Sequence, residues 1–313
     1  MFRLTAIQHK YDKELVRSIV AWREGFQLEK EMNYGSDFKY IPSTSFKSGK
    51  GIELLPDLYQ HTIQIVNVVF FGNPDNNNGF TLVDAGMPKC ANKIISVAEK
   101  RFGPNSKPNA IILTHGHFDH IGAIIELIEY WKVPVYAHSL ELPYLQGKRN
   151  YAEPDPTVNG GLVAKMSSFF PNEAINLGSN VKPLPLDGTV PHMPGFHWVH
   201  TPGHTPGHTP GHVSLFRDED GTLIVGDAFV TVKQESLYQV LTQKKEMSGP
   251  PRYFTTDWQA AWDSIKKLEA LKPMLAITGH GLPMTGDELT RNLHKLVNEF
   301  EKIALPNHGK YLN

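Results

Sequence analysis

Hydrophobic and polar positions follow two different periods along this chain. Residues 11–32 place Leu15, Ile19, Trp22 and Phe26 at helical spacing among charges, which predicts one amphipathic helix, and residues 35–50 are rich in Ser, Gly and Lys. Residues 1–50 therefore read as an N-terminal extension whose apolar stripe docks on the core or on a second copy of the chain, giving a homodimer. From Ile52 short apolar runs take over. HTIQIVNVVFFG (61–72) and GFTLVDAG (79–86) predict strands joined as a β-hairpin through the turn-rich NPDNNN. A helix over 89–102, a strand over 110–114, a helix over 121–131 and a strand over 133–137 follow. The stretch 140–171 mixes helical patches with Pro and Gly and reads as a covering segment that could wall a pocket. Strand-like runs then recur at 196–200, 213–216 and 222–226. After them come an irregular insertion (231–255), a helix over 257–271, a strand over 274–278 and a last helix over 287–302. The two halves repeat in coarse order. That order suits a single catalytic domain, 51–313, with two sheets packed between outer helices.

Bulk properties narrow the partners. With 31 basic against 32 acidic side chains, nothing draws nucleic acid or an anionic membrane by net charge. No apolar run approaches the ~20 residues of a spanning helix, and the N-terminus lacks a signal-type apolar segment. The single cysteine, Cys90, can form no intrachain disulfide and no multi-thiolate zinc site, so a bound metal would need nitrogen and oxygen ligands. A cytoplasmic protein acting on a small-molecule substrate is the expectation.

Histidine placement changes the picture most. Of 15 histidines, three fall within 115–120 in Thr114-His115-Gly116-His117-Phe118-Asp119-His120, between the strand-like AIILT and the helical IGAIIELIEYW. His-x-His spacing in a loop lets two rings converge on one ion while Asp119 and His120 turn toward another. Helix capping would account for Asp119 at most. Four more histidines, His200, His204, His208 and His212, recur every fourth residue in three successive TPGH units. Pro-Gly turns can each present one histidine, but a single site needs only one ligand from the set. Asp227 ends the apolar run TLIVG, and His280 follows LAITG. Four strand-like runs thus each lead into a histidine or aspartate, which would meet on one sheet edge.

These residues resemble the metallo-β-lactamase superfamily, in particular its glyoxalase II and lactonase-like branch. The hallmark H-x-H-x-D-H stands here as His115, His117, Asp119 and His120, and the likeness runs over roughly residues 52–290. LVDAG with Asp84, the GHTPGH stretch, GDA with Asp227 and TGHG with His280 supply the other markers. The resemblance implies an α+β fold, a four-layer αβ/βα sandwich carrying the N-terminal helical extension. It implies two divalent ions, zinc first, with iron or manganese as alternatives. One ion would be held by His115, His117 and a TPGH histidine, the other by Asp119, His120 and His280, with Asp227 bridging. Aligning from the downstream VSLF selects His208 as the repeat ligand, whereas aligning from the upstream FHWVH selects His204. Asp84 is implied as a support that fixes a ligand or loop. The activity implied is hydrolysis of an ester, thioester or lactone by a hydroxide bridging the ions, with Asp119 orienting it as the catalytic carboxylate. Lactonases of this outline often carry a tyrosine three residues beyond the bridging aspartate, where this chain has Val230. The competing expectation is a persulfide dioxygenase of the same fold, with one iron on His115, His117 or the repeat histidine, and Asp227.

Overall fold

The computed structural model describes residues 31–312 except 43, 77 and 203–209. The helix expected over 11–32 lies, but for its last two positions, outside the described residues. Two sheets form the centre. The seven-stranded sheet runs in sequence order from β1 (Gly51–Leu55) through β2 (Leu58–Ile63), β3 (Val66–Phe71), β4 (Phe80–Val83), β5 (Pro108–Ile112) and β6 (Val135–Ala137) to β7 (Val181–Pro183). The five-stranded sheet holds β8 (Phe196–His200), β9 (Val213–Arg217), β10 (Thr222–Gly226), β11 (Leu275–Thr278) and β12 (Met284–Thr285), in spatial order β12-β11-β10-β9-β8.

Three apolar clusters occupy the three gaps of a four-layer stack. Phe71, Val83, Ile112, Leu215, Ile224 and Ile277 fill the space between the sheets. Ile94 and Ala98 of helix Ala91–Phe102, with Leu127 and Trp131 of helix Ile124–Trp131, pack on the outer face of the larger sheet. Ile265 and Leu268 of helix Trp258–Ala270, with Leu289, Leu293 and Leu296 of helix Gly286–Asn298, cover the smaller one. Every residue of β3, β4, β9 and β10 is buried, and these strands are mainly apolar, as sheets covered on two sides require. The fold is the expected αβ/βα sandwich.

Strands β1, β7 and β12 are additional to the sequence expectation, and two further local details differ from it. The run 61–72 is not one strand. It contains a tight turn between β2 and β3, with Gln64 in the left-handed region at φ 59°. No glycine or proline marks this turn. It is held from outside, because Ser45 Oγ donates to the Gln64 carbonyl and Ser48 Oγ accepts from the Gln64 amide. The last helix, expected over 287–302, ends at Asn298 and restarts as the short helix Phe300–Ile303.

Two parallel pairs, β4 with β5 and β10 with β11, bring strand C-termini to one edge of the stack. The sheets are tied there by main-chain bonds: Val213 N donates to Thr114 O at 2.9 Å, and Asn67 N to Gly279 O at 2.7 Å. The loops leaving that edge carry the chemistry.

Candidate metal centre

Asp84 leaves β4, His115 to His120 leave β5, Asp227 leaves β10 and His280 leaves β11, and all of these side chains are buried. His115, His120 and Asp227 offer ligand atoms within 4.8 Å of one another, as do Asp119, His120 and His280. His115 Nε2 and His117 Nδ1 approach to 3.1 Å. The Asp227 carboxylate faces both groups, with Oδ1 at 3.5 Å from His120 Nε2 and Oδ2 at 3.3 Å from His280 Nε2. Asp119 Oδ2 lies 3.3 Å from His280 Nε2.

Hydrogen bonds behind the rings assign which nitrogen faces the centre. His120 Nδ1 donates to Asp84 Oδ2 at 2.8 Å, and His280 Nδ1 donates to the Ile65 carbonyl at 2.9 Å. Thr114 Oγ1 donates to Asp84 Oδ2, which leaves that hydroxyl oxygen to accept from His115 Nδ1 at 3.0 Å. With each Nδ1 proton so engaged, the Nε2 lone pairs of His115, His120 and His280 point inward. Asp84 is the hub. Its Oδ1 also accepts from Thr114 N at 2.8 Å, so one carboxylate fixes both the start of the histidine loop and the His120 ring. Asp84 itself sits at φ 62°, in the left-handed region that aspartate tolerates better than most residues.

The donor set fits metal ions. Ligand atoms about 2.0–2.1 Å from a tetrahedral ion stand roughly 3.3 Å apart, and the four approaches above run from 3.1 to 3.5 Å. Asp119 Oδ1 and His120 Nε2 are buried and make no hydrogen bond within the protein. Buried polar atoms rarely remain so without a ligand, an ion or water. Burial acts most strongly on the ionisation of these groups, but carboxylates reverse it locally. His280 is pushed up to about 10 because Asp227 and Asp119 outweigh burial. His120 is likewise raised, by Asp227, Asp84 and Asp119 against burial. Asp227 is held well below the usual carboxylate range by His280 and His120, again against burial. His115, driven by burial and by its histidine neighbours, stays well below its ordinary value. Protons therefore neutralise this cluster when no cation does.

The repeat divides unevenly. His204 and His208 lie outside the described residues, so the structure does not choose between them. His212 is buried with both ring nitrogens engaged: Nε2 accepts from Asp227 N at 2.9 Å, and Nδ1 donates to Thr201 Oγ1 at 2.9 Å. It buttresses the Asp227 turn. His200 meets the Pro210 carbonyl through Nε2 at 2.8 Å and stacks on His138 at 4.5 Å, closing the base of the loop.

Sequence reasoning passed over Glu141. Fully buried, it accepts from Gly116 N (3.1 Å) and Tyr151 OH (2.8 Å) through Oε2, and from Gly211 N (2.8 Å) through Oε1. One carboxylate thus clamps the glycine between His115 and His117 to the end of the TPGH repeat and to the covering segment. Burial pushes it up to about 7 despite its three donors. An acidic residue inside the otherwise apolar stretch 140–145 was the available signal. The covering segment does reach the centre, since the His117 ring meets Tyr151 at 5.7 Å, and from the 231–255 insertion Phe254 stacks on it at 4.3 Å.

The chain as a whole is similar to known proteins. Residues 61–280 match the family described as the metallo-beta-lactamase superfamily. The chain is 49% identical over 264 residues to the "Probable metallo-hydrolase YflN" of Bacillus subtilis, covering 84% of this chain and 98% of that protein. It is 32% identical over 215 residues to the "Probable metallo-hydrolase YybB" of the same organism, covering 67% and 80%. Among solved structures, a Cronobacter sakazakii metallo-beta-lactamase with a HARLDQ motif aligns with TM-score 0.53 at 18% identity, over 82% of this chain and 94% of that one, a likeness of fold alone. The chain belongs to the metallo-beta-lactamase superfamily and is an enzyme of its hydrolase class.

Proposed function

We propose that the chain is a two-metal hydrolase that cleaves a small carbonyl substrate, an ester, thioester or lactone. The observation that carries this reading is the pair of ligand groups sharing His120, one with His115 and Asp227 and the other with Asp119 and His280. His115, His117 and a repeat histidine, His208 or its alternative His204, would hold one ion, and Asp119, His120 and His280 the second, with Asp227 between them. Nitrogen and oxygen donors of this kind suit zinc and also accommodate iron or manganese. Such ions, when bound, supply a Lewis acid for the substrate oxygen and water acidified from a pKa of about 15.7 toward about 7.

The chain's own residues supply the rest. Asp119 faces two ways, toward His280 and into an apolar cavity of about 270 Å3, so its carboxylate can orient a water against a carbonyl seated there. Phe118, Phe254 and Tyr253 at the cavity wall exclude bulk water. Asp84 and His212 hold ligand rings and the Asp227 turn without touching substrate. Among the described residues no helix is long and apolar enough to cross a membrane. We place the protein in the cytoplasm.

A zinc-reconstituted sample assayed against carboxylic esters, thioesters, lactones and phosphodiesters tests the reading. Cleavage of at least one carbonyl class, lost on Asp119→Ala, is expected; phosphodiester cleavage alone would overturn the carbonyl assignment. The persulfide dioxygenase is the weaker alternative, because a lone iron would leave the Asp119, His120 and His280 group without a ligand. Oxygen uptake with a persulfide would favour it.

A further inference from the structure

The cavity beside Asp119 is built from several separate parts of the chain. Ile41 comes from the segment preceding β1, Val163 from the short helix Leu162–Met166, Phe170 from the covering segment, and Val240 from the helix Leu237–Thr242. Its wall is almost wholly apolar, and among the described residues no lysine, arginine or histidine lines it. Besides Asp119, Thr44 and the phenol of Tyr253, the described lining residues include one amide side chain. Gln234 is buried, lines the cavity, and its Nε2 makes no hydrogen bond within the protein. A buried amide donor without an acceptor is a standing cost that a ligand oxygen would relieve.

We propose that this cavity binds the acyl part of the substrate, and that the acyl part is an uncharged, mainly aliphatic chain of medium length with one oxygen for Gln234. The proposal rests on the hydrolase reading and specifies its substrate. Away from the Asp119 end, a free acid or ammonium on the chain would find no counter-ion among the described lining residues. At about 30 Å3 for each water-sized group, the 270 Å3 cavity takes roughly nine non-hydrogen atoms. In the reaction, water adds its oxygen to the acyl carbon, the C–O or C–S bond breaks, and the leaving alcohol or thiol takes the second proton. The acyl carbon must lie at the Asp119 end, with the chain running toward Val240 and Phe170.

Two readouts test this on the zinc-loaded full chain, one of them independent of turnover. Calorimetric titration with acetate, butyrate, hexanoate and octanoate should show affinity rising about fourfold per methylene until the cavity fills near octanoate, then levelling. The kcat/KM values of the matching p-nitrophenyl esters should rise in parallel. Val240→Trp should cut the octanoate-to-acetate affinity ratio at least tenfold. Among 3-, 4- and 5-oxohexanoate, at least one should bind more tightly than hexanoate, an advantage that Gln234→Leu should remove. Flat affinity and flat kcat/KM across the series, in a protein that still cleaves esters, would overturn the acyl assignment and leave the hydrolase reading standing. Cleavage of no ester, thioester or lactone, with length-dependent carboxylate binding intact, would instead remove the hydrolase reading while retaining an apolar ligand site.

Discussion

Replacing Asp84 with asparagine probes the assembly of the centre without touching a proposed ligand. The carboxylate accepts three hydrogen bonds, from Thr114 N, Thr114 Oγ1 and His120 Nδ1, each at 2.8 Å. An amide keeps the shape, and its oxygen can still serve Thr114 N. Its NH2 group, however, faces two donors that both need an acceptor. Relief comes if the amide donates to His120 Nδ1, which moves the ring proton to Nε2 and turns the inward lone pair into an N–H. A protonated Nε2 cannot ligate, and changes behind metal-binding rings typically cost 10–100-fold in metal affinity. That range corresponds to about 1.4–2.8 kcal/mol, the same scale as hydrogen bonds to an ionised group. Zinc titration against a competing chelator should therefore show at least tenfold weaker binding by Asp84→Asn, with thermal unfolding of the metal-free variant showing that it still folds. Affinity within twofold of the wild type would refute the argument that Asp84 sets the His120 tautomer.

Other perturbations test neighbouring parts of the same edge. A Cβ on Gly279 would meet Asp227 Oδ1 at 2.1 Å and His120 Cε1 at 2.7 Å, so Gly279→Ala should displace the shared carboxylate and weaken zinc binding about 100-fold, read by the same competition titration. Glu141, at about 7 folded against an ordinary 4.5, keeps its proton in the folded state while the unfolded chain loses it. Its contribution to stability must therefore fall as pH rises from 4.5 to about 7, by about 3 kcal/mol, and stay flat above. Denaturant unfolding of metal-free wild type and Glu141→Gln should show that excess pH dependence only in the wild type; parallel profiles would mean that its three donors, not burial, set its ionisation.

Much of this architecture was written in the strand runs. AIILT, TLIVG and LAITG are mainly apolar because their strands are covered on both faces, and the residue that follows each stands where the chain leaves the sheet edge. That is why His115, Asp227 and His280 could be read as a group before any contact was known. The Gln64 turn escaped notice because its stability comes from Ser45 and Ser48, distant in sequence and invisible to local turn chemistry. Glu141 escaped for a similar reason, since its value lies in backbone amides at Gly116 and Gly211 that only the folded chain brings together. The cavity was foreseen only as aromatic and apolar insertions. Its wall also uses Ile41 of the segment preceding β1 and Gln234, whose positions depend on the packing of segments remote from one another.

Metal content per chain is the most direct test of the two-ion centre. Elemental analysis of protein purified without chelators, before and after zinc reconstitution, should give close to two divalent ions per chain, falling toward one in Asp119→Ala. A single ion in the reconstituted wild type, or none, would contradict the two-metal centre.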